Sequence, residues 1–469
     1  MEDKQMTNDG VPSDLRHLMT YSEKIVQTLE SLDGLFLVVS HNDADGIAAA
    51  SQMFKLLVQM GKEFHMKFIK SLSSEVLSEI LDENFDVLII LDMGAGYERV
   101  IDSHLRNMKK YGFIIDHHKT SLESIYENIS LMNSWAFALS GDFEACAASL
   151  TFSLLLSYDE KLVSMAPFAL AGILGDKQLT NPKGLNEFVL KKALDEDVVK
   201  VHKGLLLRGN TLEEALAYTM PPYIKGITGN PHEARRLLEK IGILPESPTE
   251  DLFEDTTLMK KLSSAIAIKL ANQGVSIDDL YEVLGPHYFF TIDTHIKYYV
   301  EDLTEVLDTI GRTKNTGYLP KVVMLDPETI ASVMAIVTSV KKSLIEYLIS
   351  LEENHAEYTT FWYYMCENPN IKSLVATFGM QYIVPKDRAL IVVSREDSNY
   401  SISARCHRTL VAKGIDLASA LKRVAESFGG FGGGHSVAAG ARVPISTDIR
   451  ELLSKLDEIL QEQLKYQGE

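Results

Sequence analysis

The stretch Leu35-Phe36-Leu37-Val38-Val39-Ser40-His41-Asn42-Asp43-Ala44-Asp45-Gly46 runs from a strand-length apolar segment straight into a cluster of His, Asn and Asp. An apolar run without polar alternation reads as a strand buried on both faces, as in a parallel sheet. The same pattern returns twice: Val87–Leu91 is followed by Asp92, and Phe113–Ile115 by Asp116-His117-His118. Helical segments fall between these runs, notably Ile47–Gln59 and Ser74–Leu81. Strand–helix alternation predicts an α/β domain with a parallel sheet flanked by helices. In such open sheets ligands bind outside the carboxyl ends of the strands, where all three polar clusters lie.

Working outward, Met1 to Pro12 reads as a mobile tail and Leu15–Leu32 as an amphipathic helix. From about Thr180 to Tyr318 strand signals become sparse, and Pro231–Lys240 and Met259–Gln273 look helical. Beyond lie a strand-like Val322–Leu325, a long helix over Ile330–Leu351, and strand-like Ser373–Phe378, Leu390–Val393 and Tyr400–Arg405. A glycine-rich turn, Gly429–Gly434, and a helix over Thr447–Leu464 capped by Ser446 or Thr447 complete the chain. The aromatic run Tyr358–Tyr364 reads as core packing in preference to a base-stacking platform. The expected organisation is a metal-bearing domain over 1–180, a connector with a mainly helical insertion over 181–320, and a smaller mixed α/β domain over 321–469.

Composition narrows the function. The 469 residues carry 65 acidic and 46 basic side chains, a net charge of −19, which argues against coating nucleic acid by bulk charge. Three widely spaced cysteines give neither a disulfide framework nor a structural zinc pattern. The N-terminus has no apolar signal core, and no apolar run reaches the ~18 residues of a membrane span. The expectation is a reduced, cytoplasmic protein that does not enter a membrane.

Taken singly, Asp45, Asp92 and Asp176 read as helix-cap or turn residues. Asp176 closes Gly172-Ile173-Leu174-Gly175-Asp176 after the apolar Ala166–Leu170. Together the four elements supply five carboxylates (Asp43, Asp45, Asp92, Asp116, Asp176) and three imidazoles (His41, His117, His118), each set at the end of an apolar segment. Mixed oxygen and nitrogen donors favour manganese, and less exclusively magnesium, cobalt or zinc. So many donors suit two ions ~3.5–4 Å apart, which can clamp both oxygens of an in-line phosphoryl displacement. Further on, Gly432, Gly433 and Gly434 allow close backbone approach to a phosphate, His435 adds a donor, and Arg405 offers paired hydrogen bonds.

These motifs resemble those of the DHH phosphoesterase superfamily, and Gly432-Gly433-Gly434-His435 with Ser403-Ala404-Arg405 resembles its DHHA1 domain. The resemblance covers roughly residues 34–180 and 320–445, and the length and insertion are most similar to archaeal RecJ-like exonucleases, including the GINS-associated nuclease. It implies that His41, Asp43 and Asp92 hold one ion. Asp45, Asp92, His117 and Asp176 would hold the other, with Asp92 bridging. It further implies that Asp116 orients a histidine, that His118 faces the substrate phosphate, and that Asp116, His118 and Asp45 serve catalysis. Ser403, Arg405, Gly432, Gly433, Gly434 and His435 would bind substrate. Two divalent ions, manganese first and magnesium second, would activate water, so no serine or cysteine nucleophile is needed. The activity implied is exonucleolytic hydrolysis of single-stranded DNA, 5′ to 3′. The alternatives are 3′ to 5′ digestion of RNA and DNA, oligonucleotide or phosphoadenosine phosphatase activity, or a replication-complex subunit that binds GINS.

Overall fold

The computed structural model describes residues 15–121, 126–292 and 296–465; the tail expected over Met1–Pro12 lies outside the described residues. The chain divides into two compact units, Met1–His202 with Pro286–Val337, and Lys203–Gly285 with Thr338–Glu469. The stretch 181–320 is thus shared between them. No helix among the described residues is long and apolar enough to cross a membrane.

The first unit is built on five strands, β1 (Leu35–His41), β2 (Glu63–Ile69), β3 (Val87–Leu91), β4 (Tyr111–Asp116) and β5 (Ile129–Asn133). They form an all-parallel sheet in the order β2-β1-β3-β4-β5. Both faces are covered, which explains the unalternating apolar runs. Phe36, Val38, Ile89, Leu91 and Phe113 share a core with α1 (Arg16–Ser31), α2 (Ala44–Gln59), α5 (Ala147–Tyr158) and α6 (Ala166–Gly175). Leu37, Val39, Leu88, Ile90 and Ile114 pack on the opposite face with α3 (Ser74–Leu81) and α4 (Glu98–Met108).

Strand order reverses between β1 and β3, the position at which doubly wound sheets open a crevice. The register sets Ser40 beside Leu91 and Leu91 beside Ile115, so the residue after each of these positions emerges along one edge. Those residues are His41, Asp92 and Asp116.

Several expectations are corrected. The stretch read as poor in strands contains β6 (Lys200–Lys203), β7 (Pro286–Ile292) and β8 (Ile296–Tyr299), which form a three-stranded sheet. Val322–Leu325 is not a strand: a helix spans Leu319–Val323, with Pro320 in its first turn. Ser373–Phe378 also lies in a helix, Lys372–Tyr382, whose buried Val375, Ala376, Gly379 and Tyr382 recur at helical spacing. Short apolar runs do not distinguish the two periods. The last helix, Ile449–Lys465, is capped by Asp448, which accepts from the N–H groups of Arg450 and Glu451, and not by Ser446 or Thr447.

In the second unit β9 (Ala356–Glu357), β10 (Phe361–Met365), β11 (Ala389–Glu396), β12 (Asn399–Arg405), β13 (Phe431–Gly434) and β14 (Ala438–Pro444) form a mixed sheet. Its order is β13-β14-β12-β11-β10-β9, with only β10 and β11 parallel. The aromatic run contributes β10, with Phe361 and Tyr364 buried. The glycines expected as a turn instead form edge strand β13, and the chain reverses at His435–Ala438.

Candidate metal centre

Each candidate ligand is placed by a distinct local device. Asp43 caps α2, its Oδ1 accepting from the Gly46 N–H at 3.0 Å. Asp45 does not cap its own helix; its two carboxylate oxygens accept from the N–H groups of Ala147 and Ala148, at 2.8 and 2.9 Å, at the start of α5. Asp92 leaves β3 with φ +57°, a left-handed conformation that Asp and Asn tolerate better than most residues, and its N–H donates to the Ile115 carbonyl. Asp176 is the C-cap of α6, directly after Gly175.

The side chains converge on two neighbouring points. His41 Nδ1 lies 2.9 Å from Asp43 Oδ2 and 3.2 Å from Asp92 Oδ2. His117 Nε2 lies 3.3 Å from Asp92 Oδ1, 3.4 Å from Asp176 Oδ2 and 4.0 Å from Asp45 Oδ2. Asp92 therefore turns one oxygen to each point. The outer nitrogen of each imidazole donates to a backbone carbonyl, His41 Nε2 to Lys70 at 3.1 Å and His117 Nδ1 to Gly141 at 2.7 Å. Each inner nitrogen faces the carboxylates, the arrangement that orients histidine toward a metal. Gly141 can approach this closely because a Cβ there would fall 1.8 Å from the His117 carbonyl oxygen.

Asp116, fully buried, gathers four donors: His117 N–H, His118 N–H and His118 Nδ1 on one oxygen, and the Ala95 N–H on the other. It fixes His118, whose side chain is half exposed.

The electrostatics fit a cation. Burial, with Asp92 close by, pushes Asp45 up to about 7. Burial and the charge of Asp45 hold Asp176 well above the usual carboxylate range. Burial alone would lower both His41 and His117, yet the facing carboxylates carry each imidazole up to about 11. Asp92 Oδ1 and Asp176 Oδ2 are enclosed without a hydrogen-bond donor among the described residues. Buried anionic oxygens normally find a donor or a metal, so this donor set suits divalent ions.

Two further residues were not legible in the sequence. Cys146, just before α5, groups with Asp45 and Asp176. Arg312 ends the helix Val300–Arg312 and is paired with Asp308 at 2.6 Å; the charge of Asp43 also favours its ionised form. Nothing in the spacing of either residue marks it.

Gly172 keeps Asp45 in place, because a Cβ there would lie 2.4 Å from Ala148 Cβ and 2.7 Å from Asp45 Oδ1. Gly172→Ala is expected to cost about 1–3 kcal/mol of stability by overpacking and to weaken metal binding. Thermal melts with and without manganese check both effects.

In the second unit Ser403 and Gly433 both lie opposite Gly440, on the two sides of β14, while Arg405 lies opposite Ala438. The six substrate-binding candidates thus gather at one end of that sheet. Arg405 Nε donates to Thr377 Oγ1 at 3.2 Å, and Ser403 Oγ lies 3.3 Å from Ser373 Oγ.

Residues 35–174 match the DHH family, N-terminal domain, and residues 366–462 match the DHHA1 domain. The chain belongs to the DHH/DHHA1 superfamily, with a RecJ-like architecture. An uncharacterized protein of Methanocaldococcus jannaschii is 29% identical over 461 residues, covering 96% of this chain and 99% of that protein. Among solved structures, CDC45 from Entamoeba histolytica aligns with a TM-score of 0.68 at 12% identity, over 94% of this chain and 99% of that one. The exonuclease RecJ bound to manganese aligns with a TM-score of 0.54 at 15% identity, over 95% and 94%.

Proposed function

We propose that this DHH-family phosphoesterase is a divalent-metal-dependent exonuclease that hydrolyses phosphodiester bonds from the ends of single-stranded nucleic acid, with 5′ to 3′ digestion of DNA favoured. The observation that carries the reading is Asp92, whose two oxygens face two separate sets of donors, His41 with Asp43 and His117 with Asp45 and Asp176. His41, Asp43 and Asp92 would hold one ion, and Asp45, Asp92, His117 and Asp176 the other. When bound, such a pair supplies positive charge at the phosphoryl oxygens and acidifies the attacking water.

The chain's own residues do the rest. Lys70 and Gly141 carbonyls fix the two ligand imidazoles. Asp116 holds His118 with its Nε2 directed away from the bond at Nδ1, placed to contact a phosphate oxygen or the leaving group. Ser403, Arg405 and Gly432–His435 bind a further phosphate of the strand. Manganese is the ion proposed, with magnesium second.

Time courses on DNA and RNA oligomers labelled at the 5′ or the 3′ end, with manganese, test the reading. Labelled mononucleotide should appear at once from 5′-labelled DNA and late from 3′-labelled DNA. The opposite order assigns 3′ to 5′ polarity, and release of phosphate alone points to a phosphatase. Arg405→Ala should raise KM about tenfold or more, the loss of a charge-assisted phosphate contact, with metal content unchanged. Loss of metal in that variant would contradict its placement. A second role as a GINS-binding subunit is tested by pull-down with GINS, using a cleavage-dead variant to separate binding from catalysis.

A further inference from the structure

We propose that Cys146 is a sulfur donor at the second metal position, so that this centre captures thiophilic divalent ions such as zinc or cadmium through Cys146 together with Asp45, His117 and Asp176. The proposal rests on the metal-centre reading above and extends it to a residue outside the DHH motifs.

The Cys146 Sγ, one carboxylate oxygen of Asp45 and one of Asp176 all lie within 4.8 Å of one another. Zinc bonds run ~2.3 Å to sulfur and ~2.0–2.2 Å to oxygen or nitrogen, so one ion can bridge donors at this spacing. His117 Nε2 lies 3.4 Å from Asp176 Oδ2 and 4.0 Å from Asp45 Oδ2, beside the two carboxylates of that group. The same centre holds an unpaired buried oxygen: Asp92 Oδ1, on a side chain only 2% exposed, has no hydrogen-bond donor among the described residues and faces the same His117 nitrogen.

The backbone holds Cys146 firmly. Its N–H donates to Ser149 Oγ at 2.9 Å, its carbonyl accepts from the N–H of Leu150, and the residue is fully buried. Its burial keeps it from disulfide exchange with other molecules. A bound ion would hold Cys146 as the thiolate, the S–H proton leaving to solvent, without any change of oxidation state. Manganese and magnesium prefer oxygen, so a sulfur donor favours zinc and cadmium over them.

The test uses the full chain carrying Cys366→Ser and Cys406→Ser, so that Cys146 is its only thiol. Cadmium is titrated into metal-free protein while thiolate-to-cadmium charge-transfer absorption is followed in the ultraviolet. The expected result is a band that saturates at one cadmium per chain, with cadmium bound at least about tenfold more tightly than manganese. Adding Cys146→Ser should abolish the band and the preference, while manganese affinity stays within about threefold. Cadmium that displaces manganese without producing the band overturns the proposal and leaves the metal centre standing. A chain that binds neither ion overturns both. Should the serine variant fail to fold, the cadmium-113 NMR shift of the Cys146-bearing chain decides: a sulfur-bonded shift supports the proposal, and one typical of oxygen and nitrogen donors contradicts it.

Discussion

Asp92→Asn is expected to reduce phosphodiester cleavage on the order of 10³-fold, the scale seen when a group aimed at developing charge is removed. It should also remove the manganese-dependent rise in melting temperature. Asparagine tolerates the left-handed backbone at this position, so the fold keeps its turn at the end of β3. The substitution deletes the carboxylate that faces both His41 and His117. Asp43 still faces His41, and Asp176 still faces His117, so the metal-free variant should melt close to the wild type. In the wild type, manganese at 100 times its dissociation constant should add about 2.7 kcal/mol of stability per site. Melting curves recorded with and without manganese read this difference directly. A full manganese shift in Asp92→Asn would remove the bridging assignment.

Asp116→Ala should lower both stability and activity, through a different route. Asp116 is buried and satisfies the N–H groups of Ala95, His117 and His118 as well as the His118 ring. Leaving buried donors unsatisfied costs about 1–3 kcal/mol each, so an overall loss on the order of 3 kcal/mol is expected. His118 loses its partner, and cleavage should fall about 10²-fold or more, the usual contribution of a positioned proton donor or acceptor. Asp116→Asn can still present one oxygen to the three donors that share Oδ1, so it should recover part of the stability and little of the activity. Neither variant removes a proposed metal ligand, and manganese stoichiometry measured by calorimetry should stay as in the wild type.

The parallel core was legible because it is buried on both faces. The runs Leu35–Ser40, Val87–Leu91 and Phe113–Ile115 have no polar alternation, and the structure makes each the interior of a covered strand. The strand β2 gave no such signal: Glu63-Phe64-His65-Met66-Lys67 alternates at the sheet edge. The helix Lys372–Tyr382 misleads for the opposite reason, since Leu374, Val375 and Ala376 are contiguous, whereas the buried Val375, Ala376, Gly379 and Tyr382 follow helical spacing. At the site, the chemical types His and Asp at strand ends were visible, but their partners were not. Asp45 reaches the start of α5 across 102 residues, and His117 takes its orientation from a glycine carbonyl 24 residues away. Backbone donors and acceptors leave no trace in residue type. The glycine run suggests freedom at a turn, whereas Gly432 is needed where a Cβ would meet the Leu421 carbonyl oxygen at 2.8 Å.

The net charge of −19 fits this picture better than it fits a strand-coating protein. A site that concentrates carboxylates repels a phosphate until cations arrive, so substrate capture depends on metal. The most direct test follows single-stranded DNA labelled at its 5′ end, with wild type and Asp92→Asn in parallel, with manganese and with chelator. Labelled mononucleotide is expected only from the wild type with manganese. Intact DNA in that reaction while the wild type holds its two ions, or equal digestion by Asp92→Asn, would contradict it.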